Sequence, residues 1–154
     1  MPSAIEQRLQ ELGIELPTPA APAANYVPFV KSGNLLFISG QVPMGRNGIE
    51  FVGKLGAGME VEEGQRAARL CAINLLAQAK AAAGSLDQVL RCVKLTGFVN
   101  SAPDFGDQPK VVNGASDLMV DVLGEAGRHS RSAVGVAALP FGVAVEVEGI
   151  FEIE

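Results

Sequence analysis

The sequence predicts a single α+β domain in which an antiparallel or mixed β-sheet carries two helices on one face. After a short N-terminal helix, the predicted elements run strand, strand, helix, strand, helix, strand, strand, an order typical of this class. The last strand alternates apolar residues with glutamates, so one sheet face packs on a core and the other is polar. The chain has 154 residues, 48% of them hydrophobic, which is enough to form a core without disulfides.

Residues 1–24 are predicted to form a helix followed by a connector. Ser3 and Glu6 form a capping box, apolar residues follow at helical spacing, and Gly13 can end the helix. Residues 17–24 contain three prolines, which exclude a continuous helix. We therefore expect the domain proper to span residues 25–154.

The next segment is predicted to be a hairpin followed by a long loop. The β-type runs 26–31 and 35–39 are separated by three turn-forming residues. Residues 43–58 are rich in glycine and lack periodicity, which favours a loop with room for one short strand.

The remaining chain alternates between helices and strands. Residues 60–83 have helix-forming composition with one apolar face, and Gly84 is a suitable stop. A strand is predicted over 90–99 and a second helix over 110–123. The final strands are predicted over 132–138 and 143–153. In the second of these strands the apolar residues lie on one sheet face, and four glutamates lie on the other: Glu146, Glu148, Glu152 and Glu154.

Composition argues against several classes of function. The net charge of −5 disfavours binding to nucleic acid. No apolar run is long enough to span a bilayer, so no membrane partner is expected. The two cysteines, Cys71 and Cys92, are too few for a disulfide scaffold and are interpreted as buried apolar side chains. We expect a cytoplasmic protein.

Few residues could carry chemistry. His129 is the one histidine, so metal sites and Ser-His triads lack their usual parts, and His129 is interpreted as a surface residue. Residues 128–131 concentrate positive charge, and Arg131 could bind a carboxylate with its planar fork, or could form solvated surface ion pairs. Glu146 and Glu148 could move protons if partly buried, or could form a hydrated sheet face. Tyr26, the one tyrosine, is interpreted as a packing residue on this reasoning alone.

Several separated motifs resemble those of one known family. The segment from Arg131 to Leu139-Pro140, followed by the strand that carries Glu146 and Glu148, resembles the C-terminal signature of the Rid (reactive intermediate deaminase, YjgF-like) family. Residues 26–43 resemble its opening hairpin and residues 93–99 its middle strand. Residues 104–113 resemble the start of its second helix, and the similarity spans residues 25–154.

The resemblance implies a chorismate-mutase-like subunit that assembles into a homotrimeric barrel with pockets between subunits. It implies hydrolysis of 2-imino or enamino acids to 2-keto acids and ammonia, without metal or cofactor. By resemblance, Arg131 holds the substrate carboxylate and Glu146 positions or activates water. Four further positions are expected to line the pocket: Tyr26, Ser39, Gly40 and Asn113.

Some features depart from the family pattern, and two other functions stay open. Ala133 stands where many members have cysteine, residues 45–58 are longer and richer in glycine, residues 106–110 resemble an insertion, and the N-terminal helix is additional. The same pocket could bind small carboxylate metabolites without turnover. A ribonuclease is the third possibility, against which the acidic charge and the absence of a basic aromatic groove argue.

Overall fold

The computed structural model describes residues 3–19 and 25–154, so the predicted connector over 17–24 lies partly outside the described residues. Within these ranges the chain forms a five-stranded sheet, a two-stranded hairpin and three α-helices. The helices are α1 (Ala4–Glu11), α2 (Val61–Ala83) and α3 (Gln108–Leu123). The strands are β1 (Phe29–Ser32), β2 (Leu35–Gln41), β3 (Met44–Gly45), β4 (Gly48–Ile49), β5 (Val89–Asn100), β6 (Ser130–Val136) and β7 (Val145–Ile153).

The main sheet is mixed, as predicted. Its strand order is β1-β2-β7-β5-β6, and every pair is antiparallel except β5–β6. Parallel neighbours need a crossover connection, which α3 supplies between β5 and β6. This arrangement brings the start of β6 beside the first turns of α3.

Both long helices pack on one face of the sheet, which confirms the predicted α+β architecture. Val145, Val147 and Phe151 of β7 are fully buried beneath them. Helices α2 and α3 approach closely at Gly114, where an added Cβ would overlap the backbone carbonyl of Gln65. The absence of a side chain at this glycine therefore sets how closely the two helices pack.

Helix α1 packs against the domain. Ser3 caps it by accepting a hydrogen bond from the Glu6 backbone N–H at 3.1 Å, as predicted. Leu9 is buried, and Nη1 of Arg8 donates to the carbonyl of Val122 in α3 at 3.1 Å. A Glu6–Lys80 ion pair of 3.4 Å adds a contact to α2.

The glycine-rich segment is more ordered than the sequence predicts. It forms the two short strands β3 and β4 instead of one. The physical reason is a tertiary contact: Nδ2 of Asn74 in α2 donates to the carbonyls of Val42 and Met44, both at 3.0 Å. A side chain from a distant helix thus satisfies the backbone acceptors that begin the hairpin.

Several predicted boundaries shift by up to three residues: β1 begins at Phe29 and not at Tyr26, and β6 spans Ser130–Val136 and not 132–138. Helix α3 begins at Gln108, two residues early, because Pro109 is tolerated in the first helical turn. Strand β7 begins at Val145, two residues late, because residues 140–142 form a 3-10 turn before it.

The sheet face away from the helices is not uniformly polar, which corrects the prediction. It carries Glu146 and Glu148, but Val30, Phe37 and Val134 are also exposed on it. The sequence pattern of β7, considered by itself, indicates a polar face. Strands β1, β2 and β6 add apolar side chains to that face, which the alternation in β7 could not reveal. Among the described residues, no helix is both long and apolar enough to cross a membrane.

Candidate functional site

Arg131 lies at the start of β6 and points over the sheet edge toward α3. Its Nη1 donates to Oδ1 of Asn113 at 2.8 Å and to Oγ of Ser116 at 3.2 Å. Asn113 and Ser116 are three residues apart on α3, so both face the strand. The structure thus brings together two residues, Arg131 and Asn113, that the sequence predicted for one site.

The charge of this guanidinium is not neutralised within the described residues, where no carboxylate forms an ion pair with Arg131. Both hydrogens of Nη1 are used by neutral oxygens, and Nε and Nη2 have no acceptor there. Nε and Nη2 share one edge of the planar group, and this edge is the one that binds a carboxylate with two parallel hydrogen bonds. Arg131 is therefore oriented and still open to an anion.

Glu146 lies on β7, on the sheet face away from the helices. Burial raises the pKa of its carboxyl group above the ordinary value, and the negative charge of Glu148 raises it further. Its carboxylate lies against the backbone of Gly40, where an added Cβ would overlap it. A side chain at position 40 would force that carboxylate to move from its present place.

Tyr26, Ser39 and Gly40 line one cavity of about 410 Å³. Ser39 is held by its own backbone N–H, which donates to the carbonyl of Pro28 at 2.9 Å, and its Oγ donates to the carbonyl of Val27 at 3.3 Å. A register shift in the β2–β7 pairing between Ile38 and Gln41 turns these residues toward the cavity. Because Gly40 also touches Glu146, the predicted site residues Tyr26, Ser39, Gly40 and Glu146 form one contiguous group.

Arg131 and Glu146 lie on opposite faces of the sheet. Arg131 is paired with the buried Leu95, so it is on the helix face, whereas Glu146 is paired with Phe98 on the other face. Strand β5 also separates β6 from β7. One small molecule cannot contact Arg131 and Glu146 of the same chain through the sheet.

His129 is not the solvated surface residue that the sequence suggested. It is half-buried, its Nε2 lies 2.9 Å from Oγ of Ser116, and its Nδ1 lies 2.6 Å from the carbonyl oxygen of Gly127. Sequence reasoning missed Ser116 altogether. The signal was available in its spacing, one helical turn after Asn113.

Two more residues of the cavity were not predicted. Phe141 is 71% exposed and adopts the left-handed region with φ 60°, a conformation that costs free energy for a residue with a Cβ. Gln78 is buried at the cavity wall, and its Oε1 has no hydrogen-bond partner in the described chain. No sequence motif distinguishes either residue.

Both cysteines are core residues. Cys71 and Cys92 are free and fully buried, which confirms their interpretation as core residues. Burial raises the pKa of the Cys92 thiol to about 12 and that of Cys71 well above its usual value. Over residues 3–19 and 25–154, no three His, Cys, Asp or Glu side chains cluster as metal ligands would.

The chain is similar to several known proteins along nearly its whole length. Protein TCP17 of Trypanosoma cruzi is 55% identical over 150 residues, which are 97% of this chain and 94% of that protein. A crystal structure of Atu1372 from Agrobacterium tumefaciens, a protein of unknown function, has a TM-score of 0.91 at 54% identity, with 97% and 92% of the two chains covered. RidA from a Psychrobacter species has a TM-score of 0.60 at 31% identity, with 88% and 94% covered.

A family model matches the chain as well. It is described as "YjgF/chorismate mutase-like, putative endoribonuclease" and matches residues 6–150, so it begins inside α1. The match covers most of the chain, includes β1, β2, β5 and β6 of the main sheet, and ends within β7. The chain therefore belongs to the YjgF/chorismate-mutase-like family, the Rid-type family that its motifs resemble.

Proposed function

We propose that the protein hydrolyses small 2-imino acids to 2-keto acids and ammonia, in pockets formed between neighbouring subunits of a homotrimer. The observation that carries the proposal is the state of Arg131: its guanidinium is oriented by Asn113 and Ser116, yet its charge and its Nε–Nη2 edge stay open. Membership in a family that includes RidA supports the same reading.

Arg131 would hold the substrate by its carboxylate. A 2-imino acid carries a carboxylate one bond from an electrophilic C=N group. Two parallel hydrogen bonds from Arg131 would fix both the position and the rotation of that carboxylate. Fixing the carboxylate fixes the imine carbon, so the reacting atom meets a placed water in a defined geometry.

Glu146 would activate the water. Partial burial raises its pKa, which makes its carboxylate a better proton acceptor than an ordinary surface glutamate. The carboxylate takes a proton from water as the oxygen adds to the imine carbon, and it returns that proton to the imine nitrogen, which gives a neutral carbinolamine. The carboxylate then moves the hydroxyl proton of the carbinolamine to the same nitrogen as the C–N bond breaks, which releases ammonia and leaves the 2-keto acid. These steps need no metal or redox cofactor.

The site needs two chains, because Arg131 and Glu146 lie on opposite faces of the sheet. If the outer sheet face of one subunit packs toward the β6 edge of the next, Glu146 and the cavity residues of one chain can meet Asn113 and Arg131 of the other. The exposed apolar side chains Val30, Phe37 and Val134 on that face favour its burial in an oligomer.

Two alternatives use the same observations. A module that binds a carboxylate metabolite without turnover would need Arg131 but not Glu146. The family description includes endoribonucleases, but a net charge of −5 gives little attraction for RNA phosphates. Two free, buried cysteines accord with a reducing compartment, so we propose a cytoplasmic location for the activity.

A coupled assay tests the proposal. A pyridoxal-phosphate dehydratase or an amino-acid oxidase generates 2-iminobutanoate beside wild-type protein, Arg131→Ala or Glu146→Gln, and formation of the keto acid is followed. We expect wild type to accelerate hydrolysis and both variants to lose the acceleration. Keto-acid binding that needs Arg131, without acceleration of any imine, would instead support the binding module. Cleavage of RNA at low salt that survives Arg131→Ala would support the ribonuclease.

A further inference from the structure

A chain of hydrogen bonds leads away from Arg131 on the side opposite its open edge. Nη1 of Arg131 donates to Oγ of Ser116 at 3.2 Å, and that oxygen lies 2.9 Å from Nε2 of His129. Nδ1 of His129 in turn lies 2.6 Å from the carbonyl oxygen of Gly127. In the reaction proposed above, neither Ser116 nor His129 contacts the substrate or the attacking water.

The chemistry of its two ends fixes the direction of the outer bonds of this chain. The Gly127 carbonyl can only accept, so Nδ1 of His129 donates to it. A guanidinium N–H can only donate, so the Ser116 oxygen accepts from Arg131. With His129 in its neutral Nδ1–H tautomer, Nε2 has a free lone pair and accepts the hydroxyl hydrogen of Ser116.

These hydrogen bonds join two separate elements of secondary structure. Ser116 lies in α3, and His129 directly precedes β6, two residues before Arg131. Together with Asn113, Ser116 holds both hydrogens of Nη1 on the helix side. The guanidinium plane can then rotate little, and its Nε–Nη2 edge keeps one direction.

A serine beside a histidine is also the arrangement of a nucleophile and its base. Two features of this pair argue against that role. Arg131 occupies a lone pair of the Ser116 oxygen that would attack, and proton transfer to His129 would create an imidazolium close to a guanidinium.

We propose that Ser116 and His129 are positioning residues, which orient the guanidinium of Arg131 for the substrate carboxylate. This inference rests on the proposed function, because it assumes that Arg131 binds that carboxylate. The carboxylate is the same in substrate and transition state, so disordering its anchor should weaken binding of both equally. The effect should therefore appear in KM and leave kcat nearly unchanged.

The experiment measures kcat and KM for 2-iminobutanoate, and the inhibition constant of 2-oxobutanoate, in Ser116→Ala, Ser116→Thr, His129→Ala and His129→Gln. We expect about a tenfold rise in KM and in the inhibition constant for the alanine variants, with kcat within about twofold of wild type. Ser116→Thr keeps the hydroxyl and His129→Gln keeps an acceptor, so both should restore most of the affinity. Asp121→Ala, at an exposed position of the same helix as Ser116, is the matched control and should change nothing.

Failure of the proposed hydrolysis and failure of the positioning role give different results. If wild type does not hydrolyse the imine, the proposed function fails first. If wild type is active and Arg131→Ala is not, but Ser116→Ala keeps the wild-type KM, the positioning role is wrong. A collapse of kcat at constant KM, or His129-dependent labelling of Ser116 by a fluorophosphonate, would show a nucleophile instead and would also overturn it.

Discussion

Combining two inactive variants in one oligomer tests directly whether the site is shared between subunits. Arg131→Ala removes the carboxylate anchor, and Glu146→Gln removes the proton acceptor while keeping the shape of the side chain. Because the two residues lie on opposite sheet faces, the proposed site takes Arg131 from one subunit and Glu146 from its neighbour. A mixed oligomer should therefore contain sites in which both residues are intact.

The expected recovery follows from symmetry. Losing a charge-assisted bidentate pair of about 1.5–3 kcal/mol lowers kcat/KM by about 10- to 150-fold in Arg131→Ala. Losing the base costs about 100- to 10,000-fold in Glu146→Gln. In a closed trimer that contains both variants, each 2:1 arrangement has one intact interface, so activity returns to about one third of wild type.

The assay uses co-expression of the variants with two different affinity tags, successive purification on both tags, and the coupled imine hydrolysis. Arg131→Ala mixed with the double variant Arg131→Ala/Glu146→Gln has no intact interface and serves as the control. Doubly tagged oligomers no more active than this control would refute a shared site. Recovery near one half would point to a dimer.

Three other changes have defined outcomes. Arg131→Lys keeps the charge but loses the planar fork, so KM for the imine should rise about tenfold or more in steady-state assays. Gly114→Ala inserts a Cβ against the Gln65 carbonyl, which should lower the unfolding free energy by about 1–3 kcal/mol in denaturant titrations. Burial and Glu148 raise the pKa of Glu146, so its ionisation opposes folding, and Glu146→Gln should melt slightly higher than wild type under mildly alkaline conditions.

Each of these has a control or a contradicting result. Unchanged KM in Arg131→Lys would mean that charge alone suffices. Gly106→Ala, where an added Cβ meets no atom within 4 Å, should leave stability unchanged beside Gly114→Ala. A raised pKa means that the stability linked to Glu146 is present in acid and is lost as pH rises. The difference in melting temperature between Glu146→Gln and wild type should therefore vanish below pH 4.5, the ordinary pKa of a glutamate. If the difference in melting temperature persists below that pH, it does not come from the ionisation of Glu146.

The sequence predicted the elements whose signals are local. The apolar stripe of α2 and its stop at Gly84, the Ser3 cap and the alternation of β7 each depend on neighbours within a few residues. The strands β3 and β4 could not be predicted in this way, because Asn74, some thirty residues away, holds the segment that begins them. The exposed apolar residues of the outer face were missed for a similar reason, since three strands contribute them.

The identities of Arg131, Asn113 and Glu146 were available from the sequence motifs, but their grouping was not. The β6–β5–β7 order and the pairing register decide that Arg131 faces α3 and Glu146 faces the other side, and these are long-range backbone contacts. The open edge of Arg131 is likewise a property of its partners in space, Asn113 and Ser116. By itself the sequence determined which groups are present and which elements carry them; the tertiary structure decided their directions, because the pleat and register of a sheet fix the face on which each side chain lies.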